Sequence, residues 1–132
     1  MQYIIMLLIV VGLIAADYLT GVIKAYITNT ITSDKMRKGG LNKLTELIVM
    51  GVAIGLTIGF DALGQYYSSR QLTDIAGTFT ATGIFAYLTV MELISILENF
   101  AEINPQAAWI QPFLRKLNIM KEGRENGKET DT

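Results

Sequence analysis

Three long apolar segments, separated by short polar stretches, dominate the pattern of hydrophobic and polar positions along the chain. The first covers about residues 3–27, and residues 4–16 within it carry no polar side chain. The second covers about 41–63 and the third about 75–97. Because crossing the hydrocarbon layer of a bilayer takes about 20 mostly apolar residues in a helix, each segment is predicted to be a transmembrane helix.

The predicted fold is an all-α membrane protein of about three transmembrane helices, followed by an amphipathic helix at the membrane surface. The helices are expected at about 3–28, 41–63, 73–100 and, for the amphipathic one, 105–121. Residues 1–121 would then form a single transmembrane domain. The polar stretch 33–40, which ends in two glycines, is predicted to be a connecting loop. Residues 122–132 are polar with mixed charge, which is typical of a disordered tail.

The predicted amphipathic helix is expected to anchor the chain at the membrane interface. Asn104 and Pro105 resemble the cap and first position of a new helix. Three large apolar residues follow at helical spacing, with basic residues beside them, which is typical of a segment lying in the interface plane. These anchor residues are Trp109, Phe113 and Leu117.

Basic residues are unevenly distributed, although the net charge is only −1. Of the 11 Lys and Arg residues, five lie within 24–43, one is Arg70, and five lie within 115–128. The positive-inside rule therefore predicts three spans, with the N-terminus outside and the C-terminus in the cytoplasm. The first apolar segment lacks a basic stretch before it, so we expect a retained helix rather than a cleaved signal peptide.

Composition argues against an enzyme. The chain has no Cys and no His, which removes disulfides, the commonest metal ligands and the usual general base. No nucleophile–base pair or ligand cluster is visible, so we expect no catalytic residue, cofactor or metal site. The near-neutral net charge gives no reason to expect a nucleic-acid partner.

Small residues predict close helix packing. Gly51, Gly55 and Gly59 share one face of the second segment, and Gly77 and Ala81 could act likewise in the third. Helices approach closely at such faces and gain dispersion contacts that lipid cannot match. The partner helix could belong to the same chain or to a second copy, and the small number of spans favours a contact between subunits.

Two stripes of polar residues are predicted at membrane depth, one on the first helix and one on the third. Their members repeat at steps of three, four or seven residues, so each stripe occupies one helix face. The first stripe is Asp17, Thr20, Gly21 and Lys24; the second is Thr82, Thr89, Glu92 and Asn99. Since a charge in the bilayer centre is costly, these faces should meet protein or water rather than lipid.

Two interpretations of the polar stripes stay open: pairing inside the bundle, or lining water in an assembly. Asp17 and Lys24 could pair through a third helix, or Lys24 could extend to the interface. Glu46 and Asp61, near the ends of the second span, are expected to be solvated there.

Several short motifs together resemble the phage holin family, which also includes toxin-secretion holins. They are Asp17-Tyr18-Leu19-Thr20-Gly21, then Lys38-Gly39-Gly40-Leu41-Asn42-Lys43, then Glu92 to Asn99, and the Pro-bearing stretch before Phe113. The resemblance implies a pore-former that oligomerises in the bacterial cytoplasmic membrane and opens lesions. A cytoplasmic endolysin, or in related proteins a toxin, then crosses and the host cell lyses. The partners implied are the lipid bilayer and copies of the chain, with endolysin a functional partner that it does not bind and an antiholin as a further one.

Two other functions compete with this one. A small oligomeric ion channel or transporter could use a buried carboxylate, Asp17 or Glu92, as its coupling site. A regulator of the antiholin type would form no pore and would instead inactivate a partner's oligomer. Release of folded proteins from liposomes would favour a holin, whereas ion-selective flux would favour a channel.

Overall fold

A computed structural model describes residues 1–107, 109–116 and 119, and for 77–79 it gives the backbone alone. No strand occurs within these residues, most of which are helical, and this confirms the all-α prediction. Its helices are α1 (Gln2–Ile27), α2 (Ser33–Tyr66), α3 (Arg70–Phe79) and α4 (Ala81–Ile103). By length and composition, three segments could cross a membrane: α1, α2, and α3 with α4 together.

The stretch 33–40 is helical, so the prediction of a loop there is wrong. Thr32 begins α2 by accepting a hydrogen bond from the Lys35 backbone N–H at 3.3 Å. A Cβ on Gly39 would lie 3.8 Å from the Tyr18 ring of α1. Two adjacent glycines weaken an isolated helix, but here packing against α1 and an N-terminal cap keep the helix continuous.

The third apolar segment is divided into α3 and α4 at Thr80, which departs from helical geometry at φ −101° and ψ −85°. At about 1.5 Å per residue, the 23 residues of α4 extend about 35 Å, enough to cross the hydrocarbon layer without α3. The third span therefore differs from the single helix expected at 73–100.

The helices run up, down and up in an antiparallel bundle. Lys43 of α2 pairs with Glu92 of α4, and Thr57 of α2 with Ala81, so α2 lies antiparallel to α3 and α4. At mid-length the bundle closes on a small apolar core made of Val10, Ile14, Met50 and Leu88.

The outer surface of the bundle is apolar. In the most apolar windows of the three candidate spans, only 17%, 22% and 17% of the residues are buried inside the chain. Large side chains such as Ile4, Leu8, Ile48 and Val90 are more than half exposed. An apolar surface of this extent must be covered by lipid or by a protein partner. Such a surface is typical of a membrane protein.

After α4 the chain makes turns at 105–106 and 109–110 and is helical again over 111–116. Asn104 ends α4 rather than capping the next helix, so that prediction is wrong. Ile110 is buried, whereas Trp109 and Phe113 are 73% and 51% exposed. Exposed aromatics suit the predicted interfacial anchor. Leu117 and the predicted tail 122–132 lie outside the described residues.

Candidate functional site

The ammonium group of Lys43 lies at the centre of a buried charge cluster formed by Asp17, Lys43, Glu46 and Glu92. Its Nζ atom is 2.8 Å from Asp17 Oδ2, 2.5 Å from Glu92 Oε1 and 3.5 Å from Glu46 Oε1. The Glu92 side chain is 2% exposed and that of Asp17 is 8% exposed. One cation therefore joins α1, α2 and α4 where water is largely excluded.

Helical spacing places each member of the charge cluster on an inward face. On α1, Asp17 follows Val10 and Ile14, which belong to the apolar core. On α4, Glu92 comes one turn after Leu88, and on α2, Lys43 lies two turns before Met50. Residues three, four or seven apart share a helix face, so the faces that bury the core also bring these charges together.

A hydrogen-bonded layer continues from the charge cluster toward the end of the bundle where α1 and α2 join. Asn99 Nδ2 donates to Asp17 Oδ1 at 3.0 Å and to Thr20 Oγ1 at 3.2 Å. Lys24 Nζ donates to Asn99 Oδ1 at 3.4 Å and forms an ion pair with Glu102 at 3.0 Å. Asp17 and Lys24 of α1 are thus linked through Asn99 of α4, which is the third of the predicted transmembrane helices, as the sequence suggested.

The charge cluster has more acceptors than donors. Three carboxylates face one ammonium, so the fully ionised cluster would carry a net charge of −2 (one minus three). Glu46 Oε2, Glu92 Oε2 and Thr89 Oγ1 are buried with no hydrogen-bond partner among the described residues. A buried polar atom without a hydrogen-bond partner destabilises the folded chain. Contact with water would remove this cost.

The structure brings most of the two predicted polar stripes together. Asp17, Thr20 and Lys24 contact Asn99, and a Cβ on Gly21 would lie 3.6 Å from its amide. The remaining members behave differently, since Thr82 is exposed and Thr89 is half-buried without a bond.

Lys43 and Glu46 were missed as site residues by sequence reasoning. Lys43 counted only toward the membrane orientation and a family motif. The prediction that Glu46 is solvated at an interface is wrong because it joins the cluster. The signal that could have found Lys43 is its spacing of seven residues from Met50. Asp61 is half-buried and accepts a hydrogen bond from Gln65 at 3.0 Å.

A second polar contact spans the break between α3 and α4. Thr57 Oγ1 accepts a hydrogen bond from the Ala81 backbone N–H at 3.0 Å and lies 2.7 Å from Thr80 Oγ1. Because the break removes the helical partner of that N–H, the hydroxyl of Thr57 replaces it. Ala81, predicted as a packing residue, is 1% exposed at this contact.

The glycine face of α2, which consists of Gly51, Gly55 and Gly59, points away from the other helices. All three are exposed, and a Cβ added at any of them would meet nothing within 4 Å. The tight packing predicted for this face is therefore not used within one chain. For Gly77 the structure gives the backbone course in α3 and not its surroundings.

A cleft of about 350 Å³ opens between the second half of α1 and the first half of α2. Its wall includes Asp17, Tyr18, Gly21, Gly39 and Lys43, which belong to the short motifs noted in the sequence. No group of His, Cys, Asp and Glu side chains able to hold a metal ion occurs in the described part of the chain.

Comparison with known proteins relates the chain to a described family. A sequence model described as the bacteriophage holin family matches residues 1–119. No curated protein sequence and no solved structure shows a significant match. The family match covers all four helices and the stretch after them as far as 119.

Proposed function

Because the chain belongs to the bacteriophage holin family, we propose that it oligomerises in the bacterial cytoplasmic membrane and opens lesions there. A cytoplasmic endolysin, which the chain does not bind, crosses through these lesions and the host cell lyses; a secreted toxin is the equivalent cargo in related systems. Family membership points to a membrane protein that is not an enzyme, and the lesion itself requires no catalytic residue.

The observation that carries the proposal is the uncovered glycine face. A stripe without side chains on an otherwise lipid-facing surface leaves shallow space beside α2 in the isolated chain. A second copy could bring its backbone close along this stripe and gain contacts that flexible lipid tails do not provide. Gly51, Gly55 and Gly59 are therefore the proposed oligomer contact, to which Gly77 could add, whereas Ala81 is already buried against Thr57 within the chain.

Besides a contact between copies of the chain, a lesion needs polar side chains that can line water. The charge cluster supplies them. In the single chain, Lys43 neutralises carboxylates of α1, α2 and α4 inside the bundle. We infer that assembly past a threshold separates these helices and turns the same side chains toward water. The unsatisfied oxygens of Glu46 and Glu92 favour that hydrated state.

Orientation follows from the basic residues. Those at the α1–α2 end of the bundle include Lys24, Lys35, Arg37 and Lys38, whereas Arg70 is the one basic residue at the opposite end within the described part of the chain. The proposed topology therefore has three spans, the α1–α2 turn and the C-terminus in the cytoplasm, and the N-terminus outside. Trp109 and Phe113, both exposed, would hold the segment after α4 at the cytoplasmic interface.

A channel or transporter is the weaker alternative. Its coupling carboxylate would be Asp17 or Glu92, yet both are already bound to Lys43. An ion or proton would have to displace a buried ammonium before binding there. No contact in the described residues favours a non-pore regulator over a pore-former.

Substitution in the glycine face tests the proposal. Gly55→Leu should delay or abolish lysis when the chain is co-expressed with an endolysin, because its side chain fills the proposed contact. Gly12→Leu is the matched control, since Gly12 is also exposed with nothing within 4 Å but lies on α1. Lysis timing is measured at equal membrane abundance, with cross-linking to detect oligomers.

A liposome assay separates the functions. Release of a folded protein by the wild-type chain supports a holin, and ion flux with large solutes retained supports a channel. Unchanged lysis by Gly55→Leu would show that the glycine face is not the contact.

A further inference from the structure

The cleft between α1 and α2 has the features of a binding site that lesion formation does not use. It lies where the two helices join, and the turn 30–32 closes one side of it. Its charged wall residues are Asp17, Lys24, Lys35 and Lys43. Three cations and one anion therefore surround a space large enough for a small polar group.

Not all of these charges are available to a ligand. Asp17 is engaged by Lys43 and Asn99, and Lys43 also contacts Glu46 and Glu92. Lys43 is therefore fully engaged by carboxylates at the floor of the cleft and offers no positive charge to a ligand.

Positive charge is left at the mouth of the cleft. The Lys24 side chain is 31% exposed and its partner Glu102 is 55% exposed, so water weakens their pairing. Lys35 forms no ion pair with any residue that the structure describes. The neighbouring Asp34 is held by Arg37 at 2.9 Å and does not line the cleft. Lys35 is therefore the main cation that a ligand in the cleft could contact, and Lys24 is the second.

Beside the polar side chains of Thr30, Thr32 and Asn99, the remaining wall includes an apolar part made of Val22, Ala25, Ile31 and Met36. Basic side chains beside apolar ones, at the end of membrane-crossing helices, fit a molecule with an anionic head and a hydrocarbon body. We propose that this cleft binds the phosphate headgroup of an anionic phospholipid, with Lys35 and Lys24 on the phosphate. A free phosphate ion shares the charge but would leave the apolar wall without a partner.

Lipid binding at this position connects α1 to the first turn of α2. It would hold the two helices together beside the charge cluster, in the closed form of the single chain. The site does not depend on lesion formation, because a chain that never opened a lesion would still present the same cleft.

The test uses the full-length chain in bilayer nanodiscs or detergent, with phosphatidylglycerol and phosphatidylcholine as probes and native mass spectrometry as the readout. Lys35→Gln removes the free cation of the cleft. Lys38→Gln is the matched control, because Lys38 is an exposed lysine of the same stretch that does not line the cleft. Since one basic residue near a membrane surface contributes about 1 kcal/mol, phosphatidylglycerol affinity should fall about fivefold in Lys35→Gln and little in Lys38→Gln.

Three results would overturn the assignment. Equal losses in the two variants would mean diffuse attraction by the basic stretch instead of a site. Equal binding of phosphatidylglycerol and phosphatidylcholine by the wild type would exclude headgroup recognition. Displacement of the lipid by inorganic phosphate at the same concentration would assign the cleft to a free anion. Thermal unfolding of both variants should match the wild type, which separates lost binding from lost folding.

Discussion

Lys43 Nζ lies 2.8 Å from Asp17 Oδ2 and so joins α2 to α1 through a pair whose side chains are only 17% and 8% exposed. The same nitrogen contacts Glu92 of α4. Once charges are buried together, removing one partner leaves the others uncompensated in a medium that solvates them poorly. The stability of the bundle and the availability of its polar groups thus depend on one side chain.

Replacing Lys43 with methionine should destabilise the bundle strongly. Asp17, Glu46 and Glu92 would lose their shared cation, and breaking a buried pair typically costs about 3–5 kcal/mol. The free energy of unfolding, measured by denaturant titration in detergent, should fall by that order. Lys38→Met on the same helix, where the side chain is exposed, is the control. If Lys43→Met proves as stable as Lys38→Met, the cluster does not hold the helices together.

Glu92→Gln should have a much smaller effect than the loss of Lys43. Lys43 would keep Asp17 and Glu46, and one Glu92 oxygen has no partner among the described residues to begin with. We expect a loss of about 1 kcal/mol or less in the same titration. A loss as large as that of Lys43→Met would mean that Glu92, rather than the lysine, is the indispensable member.

Thr57→Val should weaken the contact at the break between α3 and α4. Valine keeps the shape but leaves the Ala81 N–H without its acceptor, which should lower the free energy of unfolding by about 1–2 kcal/mol. Thr45→Val makes the same change where the hydroxyl donates only to Leu41 of its own helix. Equal effects of the two substitutions would refute a role for Thr57 across the break.

Gly64→Ala should disturb the turn between α2 and α3. The added Cβ would lie 2.6 Å from Thr73 Oγ1, 3.0 Å from the Thr73 backbone nitrogen and 3.2 Å from the Ser69 carbonyl oxygen. Because two of these atoms belong to the backbone, relief requires a helix to shift, and overpacking of this kind costs about 1–3 kcal/mol. In thermal unfolding followed by circular dichroism, the melting temperature should fall.

Gly59→Ala is the control for that substitution, since nothing lies within 4 Å of its Cβ position. In the monomeric chain it should be neutral or slightly stabilising, because alanine favours a helix more than glycine does. If Gly64→Ala has the same melting temperature as Gly59→Ala, the turn between α2 and α3 is less tightly packed than its contacts indicate.

The class of protein, the number of apolar spans and their approximate positions could all be predicted from the order of the amino acids. These follow from the length and hydrophobicity of continuous segments, which are properties of neighbouring residues and need no partner. The polar stripes were also predictable as faces, because helical geometry fixes which residues point the same way. The resemblance carried by Asp17 to Gly21 and by Lys38 to Lys43 agreed with the family match.

What those faces meet depends on how the helices pack against one another, which the order of residues does not fix. Lys43 gained its partners Asp17 and Glu92 from α1 and α4, because ion pairing depends on distance in space and not along the chain. Gly39 and Gly40 stay helical, since contact with Tyr18 and a capped helix start outweigh their weak intrinsic preference. The glycine face is also left uncovered by the packing of the helices. α1, α2 and α4 contact each other where their charges and core residues meet, and this places Gly55 on the outside of the bundle.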